Sequence, residues 1–297
     1  MSAPLNLQLD NPDLEVIDKY ETVKAFQVLK QYLESEELSV DEAASQLYQM
    51  MPDYKTQIGA AEDDLGVVIM DIAEQIPYYH TLQLKLVELM KQLARSHRFN
   101  KICGDKKKLA RYTALEALDA EMGDRCFLDW ENDLEASRII NSCAFSARLA
   151  GAGTISRPMT PIIRSFRAAL ETHLSVIRGL DSLSVFVSVS SVWMLAGAGY
   201  YAYVNIVLNP PPVDALLQQA YQPHELYDGP IFGIQRWNFW QRALAERAQD
   251  GRLSEEARVL ARKAADYMEA LARDIQCCSS VSASSVKEVE IRVVFNL

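Results

Sequence analysis

The chain lacks most of the residue groupings that mark a chemical site. Its four histidines, His80, His97, His173 and His224, stand apart, with no HExxH, no HxH and no short-range His-Asp pair. The five cysteines, Cys103, Cys126, Cys143, Cys277 and Cys278, form no CxxC and no zinc-ligand spacing. No metal site is therefore expected. An odd cysteine count without framework spacing reads as free thiols in a reducing compartment. There is no GxSxG, P-loop or Rossmann fingerprint, and the GAGT at 151–154 does not follow a predicted strand, so no cofactor is expected. The N-terminal segment has neither a basic region nor an apolar core of the signal-peptide kind. A cytoplasmic location is the expectation, with the nucleus as the alternative.

Positive charge is also scarce: 30 Lys and Arg against 40 Asp and Glu give a net charge of -10. That balance argues against nucleic acid or an acidic membrane as a generic partner. One basic stretch departs from it, with Arg95, Arg98, Lys101, Lys106, Lys107, Lys108 and Arg111 between 91 and 111. With Phe99 as the one aromatic among them, this stretch reads as a solvated loop rather than a nucleic-acid patch.

What the sequence has in abundance is helical periodicity. Hydrophobic residues make up 49% of the chain and charged residues 24%, with mean hydropathy -0.08, which are ordinary values for a globular protein. Val16, Tyr20, Val23, Phe26, Leu29 and Leu33 recur at three- and four-residue steps, predicting a helix over 14–36. Ser39 and Glu42 form a capping box for the next helix. Further helices are predicted over 63–75, from Pro77 to about Ser96, over 126–150 and from Thr160 to a C-cap at Gly179, with Arg167 and Glu171 at i,i+4 spacing. A last helix starts at Leu253-Ser254-Glu255-Glu256. These segments predict an all-α fold: a single bundle of about nine to eleven helices over 1–276, with 277–297 a Ser-rich linker and tail containing one strand-like stretch.

Residues 185–208, VFVSVSSVWMLAGAGYYAYVNIVL, carry no charge and are long enough to cross a bilayer. Ser188, Ser190, Ser191 and Asn205 lie within this stretch, no Lys or Arg flanks it, and amphipathic helices surround it in sequence. A buried central helix is the expected outcome, and no membrane association is expected. In this helix Trp193 and Tyr200 are candidate pocket residues.

RWNFW (236–240) places Arg236, Trp237 and Trp240 within little more than a turn. Two indoles and a guanidinium can line a pocket for a flat or anionic ligand. They can equally fill a core, with Arg236 capping another helix or pairing with Glu171, and helical spacing favours that reading. His173, near Glu171, is a candidate proton-transfer group, but a core histidine hydrogen-bonded to a neighbour is the favoured reading.

The ordered set FSARL (145–149), RAALE (167–171), the Trp193 helix with AGAG (196–199), GPIFG (229–233), RWNFW and LSEEAR followed by Met268 resembles domain-of-unknown-function family 3632. Ala44 to Tyr48 and LQLKLVELMKQL fit its N-terminal half. The resemblance implies a soluble helical protein of filamentous fungi, without an activity or catalytic set to carry over. Two classes of function follow. The first is a noncatalytic binding or interaction protein, taking a small apolar or anionic ligand or a protein partner. The second is a cofactor-independent enzyme of specialised metabolism, a cyclase or isomerase with an aromatic-lined pocket.

Overall fold

The computed structural model describes residues 5–9, 20–50, 60–95, 133–155, 158–173 and 180–281. Among the described residues there are 10 helices and no strand, an all-α fold. In chain order they are α1 Tyr20–Glu34, α2 Val40–Met50, α3 Ala60–Gln75, α4 Leu82–Ala94 and α5 Asp133–Gly151. After these come α6, Met159–Phe166 continued by a π-turn over Arg167–Glu171, and α7, from Leu180 to Leu208. α8 Ala215–Tyr221, α9 Ile234–Arg247 and α10 Glu255–Val281 complete the set. The basic stretch beyond Arg95, the start of the helix expected from 126 and the strand-like tail from 282 lie outside the described residues.

The helices fall into two compact units. The first holds α1 to α5, the start of α6 up to Ile163, and Ala196–Ala198. There α1 packs on α2, α3 and α4, while α3 and α4 both pack on α5. Of the predicted face of α1, Leu29 and Leu33 are buried and Val23 and Phe26 half-buried, and Val28 and Tyr32 are buried beside them. α2 starts where its capping box places it: Ser39 Oγ accepts from Glu42 N at 3.3 Å, and Ser39 N donates to Glu42 Oε2 at 2.9 Å.

Pro77 does not open α4, which begins at Leu82. The backbone at 76–78 is held as a turn by side chains from elsewhere in the unit. Gln83 donates to Ile76 O at 2.8 Å, Tyr78 N donates to Asn141 Oδ1 at 2.8 Å, and Arg148 Nη2 donates to Tyr78 O at 2.7 Å. Arg148 Nη1 also donates to Gln83 Oε1 at 2.8 Å, so Asn141, Gln83 and Arg148 form one buried polar network. Near the end of α5 the backbone comes close to residue 197. A Cβ on Gly151 would lie 2.5 Å from Gly197 O, and Gly197 itself has φ 135°, so both positions require glycine.

In the second unit α7 is the helix on which α9, α10 and the end of α6 pack. Its local competition between strand and helix resolves to helix, with two π-turns, Met194–Ala198 and Val204–Leu208, and a kink at Gly197, whose dihedrals (φ 135°, ψ -21°) are not helical. Three of its polar side chains bond to its own backbone. Ser190 and Ser191 both donate to Val187 O, and Asn205 donates to Tyr201 O. Among the described residues it is the one helix long and apolar enough to cross a membrane, and 67% of its most apolar window is buried inside the protein.

α6 ends at Glu171, well before the cap expected at Gly179. Thr172 is extended there (φ -100°, ψ 137°), its hydroxyl donates to Arg167 O, and Leu226 N takes the Glu171 carbonyl. With these carbonyls already engaged by other groups the helix has nothing left to propagate. α10 is capped by Ser254 Oγ, which accepts from Ala257 N at 3.2 Å, and its backbone continues through the CCSSV segment to Val281.

Candidate functional site

The RWNFW residues and Glu171 meet in the interior of the second unit. Gly233, with φ 118°, turns the chain into α9 and accepts from Trp237 N, setting the first turn so that Arg236, Trp237 and Trp240 all point inward. Arg236 Nε donates to Glu171 Oε1 at 2.8 Å and Nη2 donates to Glu171 Oε2 at 3.0 Å, a bidentate pair in which both side chains are 0% exposed. Nη1 donates at 2.7 Å to Tyr221 O, the last residue of α8, and at 2.7 Å to Ile231 O. Arg236 thus both pairs with Glu171 and caps a helix.

The carboxylate is fully subscribed as well. Trp240 Nε1 donates to Oε1 at 2.7 Å, and His224 N donates to Oε2 at 3.0 Å. The indole of Trp240 lies under the guanidinium, 5.0 Å from ring centre to Cζ, and against Phe166 at 4.7 Å. Trp237 donates to Met268 O at 3.2 Å and meets the ring of Tyr203 edge to face at 4.9 Å. The i,i+4 pairing of Arg167 with Glu171 does not form as a hydrogen bond. Arg167 instead donates to Ala220 O, and burial pulls its pKa below the usual guanidinium value.

The other candidates do not join this cluster. His173 is exposed, because α6 has already ended and the residue no longer rides its buried face. It is therefore not a core histidine, and its backbone N–H donates to Glu225 Oε2 at 3.1 Å. Tyr200 is 49% exposed on α7. Trp193 is fully buried on the same helix, and among the described residues its indole Nε1 has no hydrogen-bond partner. Among the described residues no group of His, Cys, Asp and Glu is arranged to hold a metal ion.

Beside the cluster, on the outward face of α9, lies an open groove of about 720 Å³ that the sequence did not suggest. Its helix wall carries Gln235, Asn238, Phe239 and Arg242, and its loop wall runs from Leu226 to Pro230. Tyr227 of the loop packs against Phe239 of the helix in its lining, 5.0 Å between ring centres and tilted by 38°. A Cβ on Gly229 would lie 2.3 Å from Tyr227 Oη, so glycine makes room for that ring. Burial pushes the Tyr227 phenol above its ordinary pKa, with Arg236 pulling the other way. The only signal of this groove in the sequence is the uncharged polar spacing of Gln235, Asn238 and Gln241 on a helix whose other face is aromatic.

The family profile described as protein of unknown function, DUF3632, matches residues 67–244, more than half of the chain. The protein belongs to this family. The matched range contains Arg148, Glu171 and the whole of RWNFW, so both buried arginine networks fall inside the DUF3632 region. No curated protein and no solved structure matches the chain significantly.

Proposed function

We propose that this DUF3632 protein is a noncatalytic binding or interaction protein, soluble and intracellular, that works through its surface. The observation that carries the reading is the state of the best interior candidate. Arg236 and Glu171 are fully buried, and every polar atom of the pair is engaged by another protein group. A catalytic group must instead keep a lone pair or a proton available to substrate. The alternative, a cofactor-independent cyclase or isomerase, would need these aromatic and charged groups to border a ligand-sized space. Trp237, Trp240, Glu171 and Arg236 are each no more than 1% exposed and in contact with protein. A soluble protein is favoured by the buried share of α7 and by its glycine break, which fits against protein backbone rather than lipid. The test is native mass spectrometry of the full chain after gentle purification. The unmodified chain mass is the expected result. A stoichiometric small molecule, released by Arg236→Met under conditions where the fold persists, would instead support the pocket reading.

A further inference from the structure

We propose that the groove on α9 is a docking site for the Pro210–Asp214 segment of a second copy of this chain. The proposal rests on the interaction reading above and names the partner.

The chemistry of the groove asks for a particular ligand. A polyproline II segment has no internal hydrogen bonds and no proline N–H, so it presents carbonyls in need of donors and rings in need of flat apolar surface. The groove offers both: the packed ring pair of Tyr227 and Phe239 in its lining, and side-chain donors from Gln235, Asn238 and Gln241. One charge of each sign completes it, Asp228 on the loop wall and Arg242 on the helix wall. Among the described residues no carboxylate pairs with Arg242, whose Nε donates to Asn238 O at 3.3 Å.

The chain carries a matching segment. Asn209-Pro210-Pro211-Pro212-Val213-Asp214 lies between α7 and α8 outside any helix, with Pro210, Pro212 and Asp214 exposed. Each proline fixes its own φ and drives the residue before it out of the helical region, so the run is held extended without cost to a partner. It is flanked by Leu208, 50% exposed, and Leu216, 76% exposed, the most exposed large apolar side chain among the described residues. Asp214, exposed although its Oδ1 caps α8 by accepting from Leu217 N at 2.8 Å, supplies the acid that Arg242 lacks. One chain would then present its ligand to the next chain's groove. Such a heterologous contact need not close into a dimer.

The experiment is sedimentation of the full chain over a concentration series, alone and in mixtures. Wild-type mass should rise with concentration without stopping at two copies. A groove variant, Arg242→Glu with Asn238→Ala, and a ligand variant, Pro210→Ser with Pro212→Ser, should each stay monomeric. These side chains are exposed, and unchanged tryptophan fluorescence checks that each variant folds. Mixed in equal amounts, the two variants should form a species capped at twice the chain mass, because only one groove and one proline segment remain competent. A wild-type chain that stays monomeric at every concentration overturns the proposal while leaving the noncatalytic reading untouched. So does association that survives either variant, or a mixture that stays monomeric. A bound small molecule released by Arg236→Met would strike the reading that the protein works through its surface instead.

Discussion

The two arginines buried among the described residues, one in each unit, are accommodated in opposite ways. Arg236 meets a carboxylate and forms two short bonds to it. Arg148, 7% exposed, has no carboxylate within ion-pair reach among the described residues and donates instead to Gln83 Oε1, Ala144 O and Tyr78 O. Burial alone lowers its pKa to about 10, so it remains charged at neutral pH. Its placement explains how it tolerates this. It stands in the last turn of α5, where the helix dipole favours a cation, and neutral carbonyls surround it. The difference teaches what each residue is worth to its unit. Removing Arg236 strands a buried carboxylate, whereas removing Arg148 leaves only neutral acceptors unpaired.

This contrast orders the expected effects of mutation. Arg236→Ala should cost about 3–5 kcal/mol, because Glu171 would be left buried without its cation. Urea unfolding followed by tryptophan emission measures it, since Trp193, Trp237 and Trp240 lie in the same unit. Next comes Gly151→Ala, one turn beyond Arg148, where the new methyl would meet Gly197 O at 2.5 Å. A backbone atom cannot step aside cheaply, and a loss of about 2–3 kcal/mol is expected in thermal melting. Arg148→Met keeps an unbranched apolar stem and leaves the carbonyl and carboxamide acceptors of the guanidinium unsatisfied, which should cost roughly 1–2 kcal/mol. If Arg148→Met proved as damaging as Arg236→Ala, the contrast between the two networks would be lost.

A third arginine supplies the baseline. Arg252 grips Asp250 with the same two-bond geometry, at 2.8 and 2.7 Å, but is itself 54% exposed. Arg252→Ala should therefore cost less than about 1 kcal/mol. The hydrogen bonds from Arg252 lower the Asp250 pKa to about 2. A carboxyl depressed in the folded state contributes fully above its unfolded pKa and loses that contribution as pH falls toward the folded value. The difference in melting temperature between wild type and Arg252→Ala should hence be largest above about pH 4, shrink as pH falls, and vanish only below the folded value of about 2.

Much of the fold was legible because its signals are local. The Ser39–Glu42 box, the Ser254 cap and the three-and-four spacing of α1 each depend on neighbours within a turn or two. The pairing of Arg236 with Glu171 was legible too, since a cation among tryptophans on a buried face needs a partner and RAALE offered one. What escaped depends on distant residues. Pro77 reads as a helix start until Asn141, Gln83 and Arg148 hold its neighbours in a turn. His173 reads as a core residue until Leu226 N takes the carbonyl that would have continued α6. The groove of Tyr227 and Phe239 joins a loop to a helix, and no spacing within either one announces it.

The measurement that bears most directly on the RWNFW cluster as architecture is the double-mutant cycle of Arg236→Ala and Glu171→Ala. Each single variant leaves buried polar groups without their partner, and the double variant removes the charged pair together. The account predicts that the double variant costs less than the sum of the singles, by at least about 2 kcal/mol, read from urea unfolding of the second unit. Additive costs, or single variants as stable as wild type, would contradict it.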